Sequence, residues 1–117
     1  MADKEKNEML INAGRRFKEI RKQNDFTQEQ IAQFLQVDRS LIAKFEVGER
    51  SLGMAMIEKA CRLFGCEANA VLGEQEYRPL AVAYRAKDLT LDDIEAVSKV
   101  QQIALNLRRI KVSLESE

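Results

Sequence analysis

Apolar residues fall in short bursts at helical spacing, and each burst is closed by residues that stop a helix. The bursts are Leu10, Ala13, Phe17 and Ile20; then Ile31, Phe34 and Leu35; then Leu41, Ile42 and Phe45; then Ile57, Ala60, Cys61 and Phe64. Residues three and four apart share one face of a helix, so each burst is a stripe that needs a core. The strict alternation of a half-buried strand is nearly absent. The stops are chemically explicit. Asn24 and Asp25 end the first helix, because their side chains compete for backbone hydrogen bonds. Thr27 opens the second with Gln30 three residues on, the pattern of a capping box. Asp38 stands where a carboxylate can cap the third helix, and Gly48 and Gly65 stand where a left-handed residue ends the third and fourth. The chain reads as all-α: short helices joined by tight turns.

At 117 residues it has the size of one compact domain, or of a small domain with an oligomerisation tail. The clearest break is GEQEYRP at 73–79, where Gly, charges and the only Pro meet. The expected division is residues 1–73 as the first domain, 74–90 as a linker and short arm, and 91–117 as one long helix. The arm, Leu80 to Tyr84, suits a short helix or an extended strand of chain equally. Thr90 and Asp93 repeat the capping-box pattern. The helix they open runs to about Leu114, roughly 36 Å at 1.5 Å per residue. Its first turns carry Asp92, Asp93 and Glu95 and its later ones Arg108, Arg109 and Lys111, which complements the helix dipole. Ile94, Val97, Val100, Ala104 and Leu107 form an apolar stripe, widened by Ile103, Ile110 and Leu114. Such a face either folds back on the first domain or pairs with its copy in a dimer; the dimer is the favoured expectation.

Composition removes several chemistries. Nineteen basic and nineteen acidic side chains cancel, which excludes a polybasic nucleic-acid coat but leaves room for a local basic face. There is no His, hence no His general base, no Ser-His triad and no His-bearing zinc site. Cys61 and Cys66 are too few to close a tetrahedral structural zinc site and read as small core residues. With no phosphate loop and no recognisable pair of catalytic carboxylates, the expectation is a protein that is no enzyme and takes no cofactor and no metal. No apolar run approaches 18 residues and the start, MADKEKNE, is charged, so neither a membrane span nor a signal peptide is expected. The expected address is the cytoplasm, with both thiols reduced.

The informative stretch is Thr27 to Gly48, TQEQIAQFLQVDRSLIAKFEVG. A short helix, a turn of three or four residues plugged by Val37, and a second short helix follow one another, and small Ala32 lets the two cross closely. That is the layout in which a second helix enters the major groove of DNA while the first crosses the backbone. Over residues 10–73 the chain resembles the Cro/CI-type (XRE) helix-turn-helix regulators, through TQEQIA, the turn with Val37, LIAKFEVGER, IEKACRLFGC and Leu72. The resemblance implies a five-helix, lambda-repressor-like DNA-binding domain followed by the linker and long helix. It also implies roles. Gln28 bonds a phosphate and braces the third helix; Arg39 and Ser40 face base edges; Lys44 reaches a base or a phosphate. Arg50 and the backbone N–H groups near Gly48 reach phosphates, and Arg21 pairs with Glu46 as architecture. The chain departs from the family pattern at Gln36, where Gly is usual, and at Val47, Leu52 and Gly53.

The segment AVAYRAKDLTLDDIEAVSKVQQIALNLRRI also resembles the C-terminal part of immunity-type repressors paired with ImmA-type zinc metalloproteases, through Tyr84-Arg85-Ala86, the acid-capped helix start and Asn106. That resemblance implies removal by a partner protease. Together these readings point to a sequence-specific regulator that binds double-stranded DNA, as a dimeric repressor of phage or mobile-element type. The competing reading is an antitoxin-like protein whose C-terminal helix holds a toxin or protease.

Overall fold

The computed structural model describes residues 2–73, 76–77 and 88–115. Among the described residues six α-helices follow in order: α1 (Ala2–Gln23), α2 (Gln28–Leu35), α3 (Arg39–Glu46), α4 (Met54–Phe64), α5 (Ala68–Leu72) and α6 (Leu91–Glu115). Among the described residues there is no strand, and no helix is long and apolar enough to cross a membrane.

Most of the stops act as the sequence indicates. Asn24 bends its amide back to the Ile20 carbonyl at 2.8 Å, and Asp25 takes a positive φ of 62°. At α2 the capping box is complete: the Gln30 N–H donates to Thr27 Oγ1 at 3.1 Å, and the Thr27 N–H donates to Gln30 Oε1 at 2.9 Å. The same reciprocal pair closes the start of α6, from Asp93 N–H to Thr90 Oγ1 at 3.2 Å and from Thr90 N–H to Asp93 Oδ2 at 3.1 Å. Asp38 is the exception. Its backbone is extended, as a cap requires, but its carboxylate makes no capping hydrogen bond. At the end of α4, Gly65 turns left-handed at φ 72° and the Cys66 N–H reaches back to the Cys61 carbonyl at 2.9 Å. This turn stacks Cys66 over Cys61, both buried. The neighbouring Cys66 thiol, and then burial, push the Cys61 thiol far up, so it stays protonated.

Phe17 of α1 sits at the centre of the core, fully buried. It meets Phe45 of α3 edge-on at 5.2 Å and Phe64 of α4 edge-on at 5.5 Å. One ring thus seats two helices, each such pair adding about 0.5–1.5 kcal/mol beyond its buried area. Beside it, Gly14 brings the backbones of α1 and α3 together. A Cβ placed there would lie 2.0 Å from the Phe45 carbonyl oxygen, a position only hydrogen can occupy.

Helix α6 folds back against α4, with lighter contact to α2. Ile94, Gln101 and Leu105 are its buried residues, and Val97 packs partly against the core. The Gln30 amide that completes the α2 capping box also donates to the Leu89 carbonyl at 3.2 Å, tying the approach to α6 onto α2. Arg109 meets Glu67 at 2.8 Å, but both side chains are substantially exposed, so the pair adds little.

The expected single stripe is therefore divided. Residues 94, 101 and 105, spaced seven and four apart, define the face against the domain, and one of them is a glutamine. Val100 and Leu107, which the sequence groups with Ile94, are 54% and 61% exposed. The reason is geometric: a helix that leans on α4 along one line turns the rest of a wide apolar band away from it. After α5, Tyr77 is anchored by its hydroxyl, which accepts from Asn24 Nδ2 at 2.9 Å and donates to the Phe64 carbonyl at 3.0 Å. The arm Leu80–Tyr84 and the Tyr84-Arg85-Ala86 triplet lie outside the described residues.

Candidate nucleic-acid interface

The site is built on the pair α2 and α3. Ile31, Ala32, Phe34 and Leu35 bury the inner face of α2, and Ile42, Phe45 and Glu46 that of α3. Between them the chain reverses at Gln36, which sits squarely in the left-handed region at φ 59° and ψ 46°. Its N–H caps α2, and the Val37 N–H reaches the Ala32 carbonyl at 3.0 Å. Val37 packs partly against the core, as a plug should. Gln36, at the position where the resembling family usually carries Gly, thus takes up a left-handed conformation that Gly adopts freely. A non-glycine residue there costs about 1–2 kcal/mol.

One carboxylate holds three helices in register. Arg21 of α1 donates to Glu46 of α3 from Nε at 2.7 Å and from Nη2 at 2.9 Å, and its Nη1 donates to the Phe26 carbonyl at 2.8 Å. Gln28, at the start of α2, donates from Nε2 to Glu46 Oε1 at 2.9 Å. The Arg21 and Glu46 side chains are only 8% and 1% exposed. This is the ion pair implied by the resemblance, with Gln28 added to it. For Gln28 the structure shows the brace directly, and the second hydrogen of the amide remains for an outside acceptor.

The outer face of α3 has the opposite character. Arg39, Ser40 and Lys44 are exposed, and so is Arg50 after the turn. Among the described residues Arg39, Lys44 and Arg50 make no ion pair. Ser40, Lys44 and Arg50 line one open groove together with Gln36, Val37 and Asp38, while Arg39 stands with Gln28, Arg21 and Thr27 at the next. The five residues expected from the sequence thus line two grooves, Gln28 and Arg39 in one and Ser40, Lys44 and Arg50 in the other.

One detail differs from the expectation. The N–H groups near Gly48 are not free: that of Gly48 donates to the Phe45 carbonyl at 3.1 Å and that of Glu49 to the Lys44 carbonyl at 2.9 Å. The helix end satisfies its own carbonyls there. Gly48 itself is required, because its φ is +82° and a Cβ would stand 2.6 Å from Ile11. Two supporting residues were not visible in the sequence pattern. Gly14 fixes the depth at which α3 sits, and Tyr77 closes the domain from beyond α5. A lone glycine inside a helical pattern was the available signal for the first; a lone aromatic in a polar break was the signal for the second.

A family model described as a helix-turn-helix domain matches residues 14–74, just over half of the chain, from within α1 to just past α5. No curated protein and no solved structure matches the chain.

Proposed function

The chain belongs to the helix-turn-helix domain family, the DNA-binding kind found in transcription regulators, and from that premise we propose that it is a sequence-specific repressor binding its operator as two copies. The observation that carries this reading is the division of α3. Its inner face is locked by Phe45 and by the Arg21–Glu46–Gln28 cluster, while its outer face presents Arg39, Ser40 and Lys44 with no ion pair among the described residues. A rigid helix with free donors on one side suits the reading of base edges.

In this assignment Arg39 and Ser40 contact bases, Lys44 contacts a base or a phosphate, and Arg50 and the second amide hydrogen of Gln28 hold phosphates. The chain has no net charge, so one domain alone binds DNA feebly at physiological salt, and a second half-site about 34–36 Å away supplies the missing affinity. The protein acts by occupying DNA and carries out no catalytic step. Removal by a partner protease acting on the C-terminal tail belongs to the same reading.

Selection of bound duplexes from a random pool at about 150 mM salt, with the mass of the complex recorded, tests it. An enriched inverted repeat carrying two chains is the expected result; absence of any enriched sequence refutes it. The exposed apolar side of α6 favours one other reading, an antitoxin-like protein that holds a toxin or protease there. That reading takes first place if no duplex is enriched.

A further inference from the structure

With α6 laid on the domain through Ile94, Gln101 and Leu105, a second apolar line remains on its far side. Val100, Ile103, Leu107, Ile110 and Leu114 are 54%, 61%, 61%, 55% and 68% exposed. Their spacing is three, four, three, four. That is the a/d repeat of a two-stranded coiled coil, and a wide stripe meant for a globular core would carry additional e or g positions. Exposed patches of this extent on a soluble domain mark an interaction surface.

We infer that this line is the seam with a second copy of the chain, the two α6 helices running antiparallel. The inference rests on the two-copy reading above and specifies its surface and direction. Three observations choose the occupant. The spacing fits another helix of the same repeat. The exposed parts of the five side chains amount to roughly 500 Å² per copy, so about 1,000 Å² is hidden in a pair, the threshold of a specific interface. The helix dipole sets the direction: an antiparallel pair opposes the two dipoles, whereas a parallel pair aligns them. The register with the greatest apolar overlap centres on residue 105. Leu107 then meets Ile103 of the other copy, Val100 meets Ile110, and Ala104 lies level with Asn106.

The test uses the full chain without DNA. Light scattering over a concentration series is expected to show a monomer–dimer equilibrium, and Leu107→Asp to weaken it about 100-fold or more. Because Leu107 lies outside the core, the variant keeps the helical content of the original, and its melting temperature matches that of the original at dilutions where the original is a single copy. The direction is read from one nitroxide label at Asp92→Cys, with the unsubstituted chain carried through the same labelling as a blank for the buried Cys61 and Cys66. Residue 92 is thirteen positions from the centre, so antiparallel helices separate the two labels by about 39 Å along the axis, and parallel ones hold them at about 10 Å.

A wild-type chain that stays a single copy throughout, a Leu107→Asp variant that still pairs, or a label distance near 10 Å would each overturn the inference. Capture of a different protein on this face by a chain that never pairs with itself does the same. The operator reading fails separately: a dimer lost in Leu107→Asp, from a chain that selects no duplex, keeps the seam and removes the repressor.

Discussion

Gly14→Ala adds one methyl group and removes the space it needs. The new Cβ would lie 2.0 Å from the Phe45 oxygen, 3.0 Å from the Phe45 carbonyl carbon and 3.2 Å from the Glu46 carbonyl carbon, all backbone atoms of α3. No side chain can rotate away, so the two helices must part by at least about 1 Å. Overpacking of this kind costs about 1–3 kcal/mol, and the upper end applies because the obstacle is backbone. The parting also disturbs the Phe17–Phe45 pair at 5.2 Å and the short bonds from Arg21 to Glu46. Against this, Ala is better than Gly inside a helix by about 1 kcal/mol. The net loss is therefore about 2 kcal/mol. With a urea dependence of about 1.5 kcal/mol per molar, the unfolding midpoint falls by about 1.3 M. Gly53→Ala is the control, since its Cβ meets nothing within 4 Å, and its midpoint should move by less than half as much. A Gly14→Ala midpoint equal to or above that of the original chain would refute the claim that backbone contact at this point sets the seat of α3.

Three further outcomes are expected. Gln36→Gly relieves a left-handed residue at φ 59° and should raise stability by about 1 kcal/mol, read as a higher melting temperature; a fall would mean that the Gln side chain itself supports the turn. Glu46→Ala leaves the Arg21 guanidinium buried without its carboxylate and should cost about 3–5 kcal/mol in urea unfolding; a loss below about 1 kcal/mol would show that the cluster is no brace. Arg39→Ala should leave the melting temperature unchanged and weaken binding to a selected duplex by about 1–3 kcal/mol, with relaxed preference at one base position; equal binding to all single-base variants of that duplex, before and after substitution, removes Arg39 from base reading.

The first four helices and the start of α6 were legible because their signals are local, whereas α5 was expected only from the family resemblance. The Thr27–Gln30 and Thr90–Asp93 boxes, the left-handed Gly65 and the apolar bursts each act within a few residues, and each is found where its chemistry places it. The candidate site residues were named through the family resemblance; the structure places Gln28 at the start of α2, Arg39, Ser40 and Lys44 on the exposed side of α3, and Arg50 beyond it. What was not legible depends on contacts between distant parts of the chain. A sequence shows that Gly14 is a glycine but not that Phe45 presses against it. It shows a wide stripe on α6 but not which edge of the stripe α4 will take, and polar Gln101 gave no hint that it would be buried. The fate of Gln28 is of the same kind: its bond to Glu46 spans eighteen residues and exists only once α2 and α3 have crossed.

The two sides of α3 differ in what a substitution touches. Ile42, Phe45 and Glu46 are woven into the core, whereas Arg39, Ser40 and Lys44 are exposed, and the long side chains at 39 and 44 make no ion pair among the described residues. Exchanges on the outer side fall in the class that shifts stability by a few tenths of a kcal/mol. Descendants of this chain can therefore drift to new base preferences one residue at a time while the fold stays intact. The freedom to diversify is built into the same eight residues that hold the helix still.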